Sequence, residues 1–300
     1  MGIRRVVAVV GPTATGKSDL AVALARALGG EVVNADSMQL YRGMDIGTAK
    51  LGIPERAGVP HHLLDVWDVT VTATAAAYQE LARRALDDVL ARDKVPVIVG
   101  GSGLYLRAAL DQLVFPGTDP QVRARLEAAL DSEGAPALHR RLTGLDPAAA
   151  ARMEPTNGRR IVRALEVVEL TGGMPGQLTS YGEHYRATYL GLDRPDLADR
   201  VARRVERMWS DGLVEEVRVL ADGGLRDGLT ARRALGYAQV LDLLDGRCDD
   251  AAARESTVTA TRRFVRRQRA WFRRDPRIRW LTQSGDLLDE AMATVHDDAE

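Results

Sequence analysis

The chain has 300 residues, of which 45% are hydrophobic and 28% are charged, and its formal net charge is -1. This length supports one large α/β domain with an insertion, or two domains, and the composition excludes a mainly disordered chain. Near-neutrality argues against a protein that coats DNA without specificity. The single cysteine, Cys248, excludes an internal disulfide and a cysteine-based zinc site, and it favours a reducing, cytoplasmic compartment.

The first third of the chain alternates between predicted strands and helices. Apolar runs predict strands at 3–10, 31–34, 62–66 and 95–99. Apolar residues at helical spacing predict helices at 19–28, 73–92 and 104–110. This alternation is typical of a parallel sheet built from βαβ units, so we expect an α/β fold.

A phosphate-binding motif lies between the first strand and the first helix. Residues 11–18 read GPTATGKS, which satisfies GxxxxGK[ST]. The backbone NH groups of such a turn and the positive end of the following helix dipole converge on one place, where a phosphate binds. Lys17 would reach the outer phosphate, and the Ser18 hydroxyl would ligate Mg2+. The motif predicts a P-loop NTPase-like parallel sheet flanked by helices, and an incidental glycine turn is the alternative.

Polar positions follow two other predicted strands. Asp36 comes after the second strand, and residues at that end of a parallel strand line the ligand crevice. Its carboxylate could ligate Mg2+ through water, act as a general base, or only cap a turn. Ser102 follows the strand at 95–99, where it could serve the site or only cap the next helix. His61 and His62 are adjacent on an extended segment and point to opposite faces, which disfavours a shared metal site.

No strand is predicted from 119 to about 171, where we expect a helical insertion. Asp119 and Asp146 each precede a proline, as N-caps do, and Asn157 starts a third helix that ends at Gly172 and Gly173. The expected domains are a core of 1–118 and 186–300 and an insertion subdomain of 119–185, with a return linker at 172–184.

The last third is mainly helical. Two further strands are expected at 188–192 and 278–281, and helices at 195–211, 213–221, 231–244 and 249–274. The last helix carries a basic cluster that only Asp275 follows, formed by Arg262, Arg263, Arg266, Arg267, Arg269, Arg273 and Arg274. Such a face favours a polyanion such as nucleic acid, and a solvated helix surface is the alternative.

Together these segments resemble the tRNA dimethylallyltransferase family, whose members are also called tRNA isopentenyltransferases (IPP transferases). The resemblance spans nearly the whole chain, in the expected order. It rests on the segments GPTATGKS at 11–18, DSMQLYRGMDIGTAK at 36–50, PHHLLD at 60–65, VGGSGLY at 99–105, NGRRIVRALEV at 157–167, LGY at 235–237 and TRRFVRRQRAWF at 261–272. Ser102 is a departure, because the family usually carries threonine there, although the hydroxyl is kept.

The resemblance implies transfer of a dimethylallyl group from dimethylallyl diphosphate to N6 of the adenine next to the anticodon of tRNA. Asp36 would be the general base, Lys17 and Arg204 would stabilise the leaving diphosphate with Mg2+ held at Ser18, and Thr13 and Ser102 would position the reacting groups. The diphosphate would lie on Gly11, Pro12, Thr13, Ala14, Thr15, Gly16, Lys17 and Ser18. The insertion would grip the anticodon stem-loop. The tRNA contacts implied are Asp36, Ser37, Met38, Gln39, Ser102, Arg123, Arg159, Arg160, Ile161, Val162, Arg163, Arg233, Arg266 and Arg269. A membrane or a protein partner is not implied.

Three other functions stay open at this point. A small-molecule kinase with a P-loop would explain the sheet but leaves the insertion and the basic helix without a role. An RNA-binding module with a regulatory nucleotide pocket would explain the basic helix but not Asp36 at the strand edge. An enzyme that prenylates free adenine nucleotides would not need the insertion. Arg233 could contact RNA or form a surface ion pair.

Overall fold

The structure is a computed structural model that describes residues 6–174, 181–282 and 286–298. The start of the strand expected at 3–10 and residues 175–180 of the expected linker lie outside these ranges. The described chain divides into two compact units, of which the smaller comprises residues 113–181 and the larger the rest. Both boundaries of the smaller unit precede those expected from the sequence, 119 and 185.

The larger unit contains a six-stranded parallel sheet, which confirms the expected α/β class. Its strands are β1 (Val6–Val10), β2 (Glu31–Asn34), β3 (His61–His62), β4 (Pro96–Gly100), β5 (Ala187–Gly191) and β6 (Ile278–Trp280), in the order β3-β2-β4-β1-β5-β6. The central strand β1 is buried along its whole length, as an all-apolar strand between two neighbours should be. Because β2, β4 and β1 are adjacent, the loops that follow their carboxyl ends lie side by side.

Helices cover the sheet. In the first half they are α1 (Lys17–Ala27), α2 (Ala75–Ala91) and α3 (Gly103–Leu110), close to the predicted ranges. One core cluster joins Leu20 and Leu24 of α1 to Val7, Val9 and Leu190 of the sheet. Burial of these side chains contributes about 1.5–3 kcal/mol each and fixes α1 against the strands.

Among its described residues, the smaller unit contains helices and no strand, and most of its helices begin where the prolines and caps indicated. Its helices are α4 (Pro120–Glu133), α5 (Ala135–Leu145), α6 (Pro147–Ala150) and α7 (Gly158–Thr171). The side chains of Asp119, Asp146 and Asn157 accept hydrogen bonds from backbone NH groups in the first turns of α4, α6 and α7. Gly134, with φ of 80°, separates α4 from α5, a break that the sequence pattern did not reveal.

The remaining helices belong to the larger unit: α8 (Leu197–Ser210), α9 (Leu213–Leu220), α10 (Tyr237–Leu244), α11 (Asp250–Phe272) and α12 (Leu287–Asp297). Two of the predicted regions differ from the structure, and α12 was not predicted. A π-helical turn, Ala221–Leu225, follows α9 directly. The helix expected at 231–244 is divided into a 3-10 turn, Ala231–Arg233, and α10, because Gly236 has φ of 86°.

The strand expected at 62–66 was wrong. Only His61 and His62 pair with β2, opposite Val32 and Val33. Leu63 and Asp65 then adopt φ of 63° and 56°, a left-handed conformation that ends an extended chain. Among the described residues, no helix combines the length and the apolar character needed to cross a bilayer.

Candidate active site

The phosphate loop joins β1 to α1 at the carboxyl edge of the sheet. Gly11 has φ of 139°, and a Cβ there would lie 2.1 Å from the Leu192 carbonyl oxygen, so only glycine fits. Gly16, with φ of 92°, turns the chain into α1. The Thr15 hydroxyl donates to the Pro12 carbonyl oxygen over 3.0 Å and holds the loop closed. The loop therefore presents the start of α1 to the cavity that it lines, an arrangement typical of anion sites at helix N-termini.

Lys17 is the cation of this loop. Its Nζ donates to the Pro12 carbonyl oxygen over 2.5 Å. Desolvation lowers the pKa of Lys17 to about 7, while the negative charge of Asp36 opposes this shift and the positive charge of Arg204 adds to it. An anion bound in the loop would stabilise the ammonium form, because a nearby opposite charge raises the pKa of a lysine.

Arg204 reaches the same loop from α8. Its Nη1 donates to the Thr13 hydroxyl over 2.9 Å, and its Nη2 donates to the Thr48 carbonyl oxygen over 3.1 Å. Burial lowers the pKa of Arg204, yet the group stays charged because its ordinary value is so high. The guanidinium is thus fixed between the phosphate loop and the loop that carries Thr48.

Asp36 follows β2 and is held by local bonds. Its backbone NH donates to Oδ1 of Asn34 over 2.9 Å, and its own Oδ1 accepts from the Met38 NH over 2.9 Å. Nδ2 of Asn34 donates to the Leu63 carbonyl oxygen over 2.9 Å, which ties the turn to the chain after β3. The turn interaction expected as an alternative role is therefore present, and it uses only one of the two carboxylate oxygens.

Ser102 stands at the N-cap position of α3, but its side chain makes no capping bond. Its hydroxyl instead accepts from the Ser37 NH and donates to the Ser37 hydroxyl, both over 3.3 Å. This contact joins the loop after β4 to the loop after β2. Ser102 therefore links loops at the sheet edge, and the simple capping interpretation does not hold.

Two cavities meet at these residues. The larger, about 1120 Å³, is lined by the phosphate loop, by Thr48 and Lys50, and by arginines of α8. The surface of the smaller, about 290 Å³, is mainly apolar and includes Met38 and Phe264, although serine, threonine and arginine side chains line it as well. Both are bordered by Thr13, Asp36, Thr48 and Arg204. A charged chamber and an apolar chamber thus share one wall that carries a carboxylate and a guanidinium.

The larger cavity offers oxygen donors that suit Mg2+. The Ser18 hydroxyl and the Asp36 carboxylate both line it. Within the part of the chain that the structure describes, no group of three or more His, Cys, Asp or Glu side chains is arranged to hold a metal. Mg2+ in phosphate sites commonly takes only one or two protein ligands and completes its shell with water and substrate phosphate oxygens. The two donors fit that pattern.

The insertion residues expected at tRNA occupy different environments. Ile161 and Val162 are 0% and 1% exposed and pack in the core of the smaller unit, so the expectation that their side chains contact tRNA does not fit the structure. Arg123 and Arg163 both pair with the buried carboxylate of Glu166. The expected residues with exposed cationic side chains on α7 are Arg159 and Arg160.

The basic helix α11 is less uniform than its sequence indicated. Arg269 pairs with Asp193 over 2.7 Å and donates to the Arg194 carbonyl oxygen over 2.6 Å. Arg273, just beyond the helix, lies 3.5 Å from Asp193. Arg266 is exposed on the surface. The expectation of one face devoted to phosphates therefore needs correction at Arg269, because an acidic side chain from a distant loop neutralises it.

Two further polar groups at the site were missed by the sequence analysis. Gln268 of α11 is 5% exposed and bonds both the phosphate loop and the loop after β4. Glu216 of α9 accepts from the backbone NH groups of residues 45–47 and, over 2.5 Å, from the Tyr237 hydroxyl. In the sequence, Gln268 lies three residues after Val265 and four before Phe272, so an amide falls on the apolar face of the helix. This position was the sequence feature that could have indicated Gln268.

Comparison with known proteins shows the family of this chain. A model of the IPP transferase family matches residues 39–275. The chain belongs to the IPP transferase family. It is 62% identical over 299 residues to a tRNA dimethylallyltransferase of Thermobifida fusca, covering 97% of this chain and 94% of that protein. It is 65% identical over 277 residues to one from a Parafrankia species, covering 92% of this chain and 87% of the relative.

Solved structures of the family have the same fold. The full-length tRNA isopentenylpyrophosphate transferase of Bacillus halodurans superposes with a TM-score of 0.72 at 37% identity, over 99% of this chain and 98% of that one. A eukaryotic dimethylallyltransferase described as acting on tRNA superposes with a TM-score of 0.82 at 25% identity, over 98% of this chain and 79% of the other. These likenesses support the P-loop-like fold.

Proposed function

We propose that this chain transfers the dimethylallyl group of dimethylallyl diphosphate to N6 of the adenine next to the anticodon of tRNA, which gives N6-(dimethylallyl)adenosine. The observation that carries the proposal is the wall shared by the two cavities. Asp36 and Arg204 border both a chamber with a phosphate loop and a chamber of apolar character. Such a pair of chambers suits a reaction between a diphosphate ester and a flat aromatic base.

The diphosphate lies in the phosphate loop. As the allylic C–O bond breaks, negative charge grows on the leaving oxygens, and donors already aimed at them lower the barrier. The NH groups at the start of α1, the Lys17 ammonium and the Arg204 guanidinium supply these donors. Mg2+ held at the Ser18 hydroxyl would add charge neutralisation for the diphosphate.

The adenine enters the smaller cavity. A base inside a tRNA loop is stacked, so it has to be turned out of the loop, at a cost of roughly a few kcal/mol. Met38 and Phe264 offer it apolar surface. Arg233 and Arg267 line the same chamber and can meet the neighbouring phosphates or base edges.

Asp36 takes the proton. The amine lone pair of adenine is delocalised into the ring, so N6 becomes a competent nucleophile only as its proton leaves. The bond from N6 to the allylic carbon forms, the C–O bond to the diphosphate breaks, and the N6 proton passes to the Asp36 carboxylate. Since Oδ1 is held by the Met38 NH, the other oxygen, Oδ2, is the proposed acceptor.

The remaining tRNA contacts are proposals on the same basis. Ser37, Met38 and Gln39 follow Asp36 and are proposed to contact the adenine and its neighbours. Ser37 and Met38 line the smaller cavity, and Gln39 lines the larger one. Arg159 and Arg160, whose side chains are exposed, are the insertion cations proposed for the anticodon stem-loop, and Arg123 and Arg163 are weaker candidates because both pair with Glu166. Arg266 on α11 offers another to the RNA backbone.

One experiment tests the function. The purified chain is incubated with Mg2+, radiolabelled dimethylallyl diphosphate and bulk tRNA, and the labelled nucleoside is located by nuclease digestion and mass spectrometry. We expect N6-(dimethylallyl)adenosine next to the anticodon. An acceptor-stem RNA and adenosine monophosphate serve as matched controls and should stay unlabelled. Labelling of the monophosphate alone would point to a nucleotide prenyltransferase, and phosphate transfer from ATP without labelled tRNA would point to a kinase.

A further inference from the structure

The amide of Gln268 is a buried bridge between two loops of the site. Its side chain extends from α11 and is 5% exposed. Oε1 accepts from the Thr13 NH over 3.0 Å, and Nε2 donates to the Gly101 carbonyl oxygen over 2.9 Å. One planar group therefore holds the phosphate loop with its acceptor and the loop after β4 with its donor.

Each end of this bridge leads to a reacting group. The Thr13 hydroxyl accepts a hydrogen bond from Arg204, so Thr13 belongs to the part of the site where the diphosphate is proposed to bind. Gly101 precedes Ser102, whose hydroxyl accepts from the NH of Ser37, the residue next to Asp36. Gln268 thus connects the hydrogen bonds around the proposed diphosphate site with the hydrogen bonds around Asp36, the proposed general base.

The contact is closely fitted. A Cβ at position 101 would lie 2.3 Å from Nε2 of Gln268, so glycine is needed there for the amide to reach the backbone. An amide offers both an acceptor and a donor from a single planar head. An ionised glutamate would lack the donor, and methionine would lack both. A residue required only for packing at this depth would be apolar, because burying an amide costs free energy unless both of its ends are bonded.

We propose that Gln268 is a positioning residue, which holds the phosphate loop and the Gly101–Ser102 turn at a fixed separation so that the allylic carbon and N6 meet in line with Asp36. The role rests on the proposed function. It predicts a loss in the chemical step rather than in the binding of tRNA, because misplacement of about 1 Å can cost on the order of 10²-fold in rate.

The test compares Gln268→Met and Gln268→Glu with the wild type and with Phe272→Leu. Phe272 lies one turn further along α11, is 3% exposed and has no polar side-chain atom to bond either loop, so its variant controls for lost packing. Three quantities are measured: the single-turnover rate at saturating substrates, the dissociation constant for tRNA, and the melting temperature.

We expect both Gln268 variants to lose about 10- to 100-fold in single-turnover rate. Their tRNA affinity should stay within a few fold of wild type, and Phe272→Leu should lower the melting temperature without a comparable rate loss. A rate within threefold of wild type in folded Gln268→Met would overturn the role. A loss confined to tRNA affinity, or one that Phe272→Leu reproduces, would do so as well.

A second measurement separates this inference from the proposed function. Hydrogen exchange of the peptides that contain Thr13 and Gly101 is followed by mass spectrometry in the absence of substrates. Gln268→Met should speed exchange at the Thr13 amide, which loses its acceptor, whereas Phe272→Leu should leave it near wild type. If the wild-type enzyme labels no tRNA, the proposed function fails while this readout still stands. Unchanged exchange at the Thr13 amide in Gln268→Met would contradict the proposed bridge, whatever reaction the protein catalyses.

Discussion

Replacing Asp36 by asparagine separates geometry from proton transfer. In the structure Oδ1 of Asp36 accepts the Met38 NH over 2.9 Å, and the backbone NH of Asp36 donates to Asn34. An asparagine amide oxygen can keep the first bond, and the second does not involve the side chain. The substitution therefore preserves the turn and removes only the basic oxygen that faces the proposed N6 position.

The expected magnitudes for stability and rate differ enough to be told apart. A hydrogen bond to a charged acceptor contributes about 1.5–3 kcal/mol and one to a neutral acceptor about 0.5–1.5 kcal/mol, so the variant should lose about 1 kcal/mol of stability. Removal of a general base costs about 10²- to 10⁴-fold in rate, or roughly 2.7–5.4 kcal/mol in activation free energy. The rate loss thus exceeds any effect of a slightly weakened turn.

Rapid-quench single-turnover assays with labelled dimethylallyl diphosphate and an anticodon stem-loop measure the rate, and filter binding measures RNA affinity. Asp19→Asn is the control for the loss of one negative charge near the phosphate loop, since Asp19 is an exposed residue in the first turn of α1. Its rate should remain within a few fold of wild type. A turnover rate of Asp36→Asn close to that of Asp19→Asn would refute the assignment of Asp36 as the base.

Three further outcomes follow from contacts in the structure. Burial lowers the pKa of Lys17 to about 7, so its ammonium form is lost as the pH rises above 7. The dissociation constant of an unreactive diphosphate analogue should therefore increase above pH 7. In Lys17→Met the dissociation constant should depend less on pH. Arg266→Ala should reduce the slope of log K against log salt for tRNA by about 0.7–0.9, whereas Arg269→Ala, which breaks an ion pair, should mainly lower the melting temperature. Tyr237→Phe removes the 2.5 Å hydrogen bond to Glu216 and should cost about 1–3 kcal/mol of stability, which would lower the melting temperature. A melting temperature equal to that of the wild type would contradict this prediction.

Local patterns in the sequence predicted much of the fold, because the signals for strands and helix ends lie within a few residues. The apolar runs located β1, β2 and β4, and the caps at Asp119, Asp146 and Asn157 located the starts of α4, α6 and α7. The predictions failed where the backbone takes an unusual conformation. Leu63 and Asp65 adopt positive φ without being glycine, so nothing in their residue type marked the end of β3.

The motifs of the candidate site could be predicted from the sequence, but the hydrogen bonds between distant parts of the chain could not. Lys17 and Asp36 follow strands in a recognisable order, so the sheet edge could be inferred from the chain alone. The Gln268 bridge joins residues separated by 255 positions at Thr13 and 167 at Gly101. Glu216 reaches its loop from 169 to 171 positions away. No local spacing encodes such contacts, since they depend on which helices pack at the sheet edge.

In the basic helix, too, the sequence did not show which arginines are paired with an acidic side chain. In the sequence, Arg266 and Arg269 belong to one cluster with a single acid after it, and both were expected to meet phosphates. In the structure Asp193, which follows β5, sits against Arg269 and leaves Arg266 exposed. An arginine already paired releases fewer counterions when it meets a phosphate, because it must first give up its partner. The salt dependence of tRNA binding is therefore expected to follow the exposed arginines and not the number of arginines in the cluster.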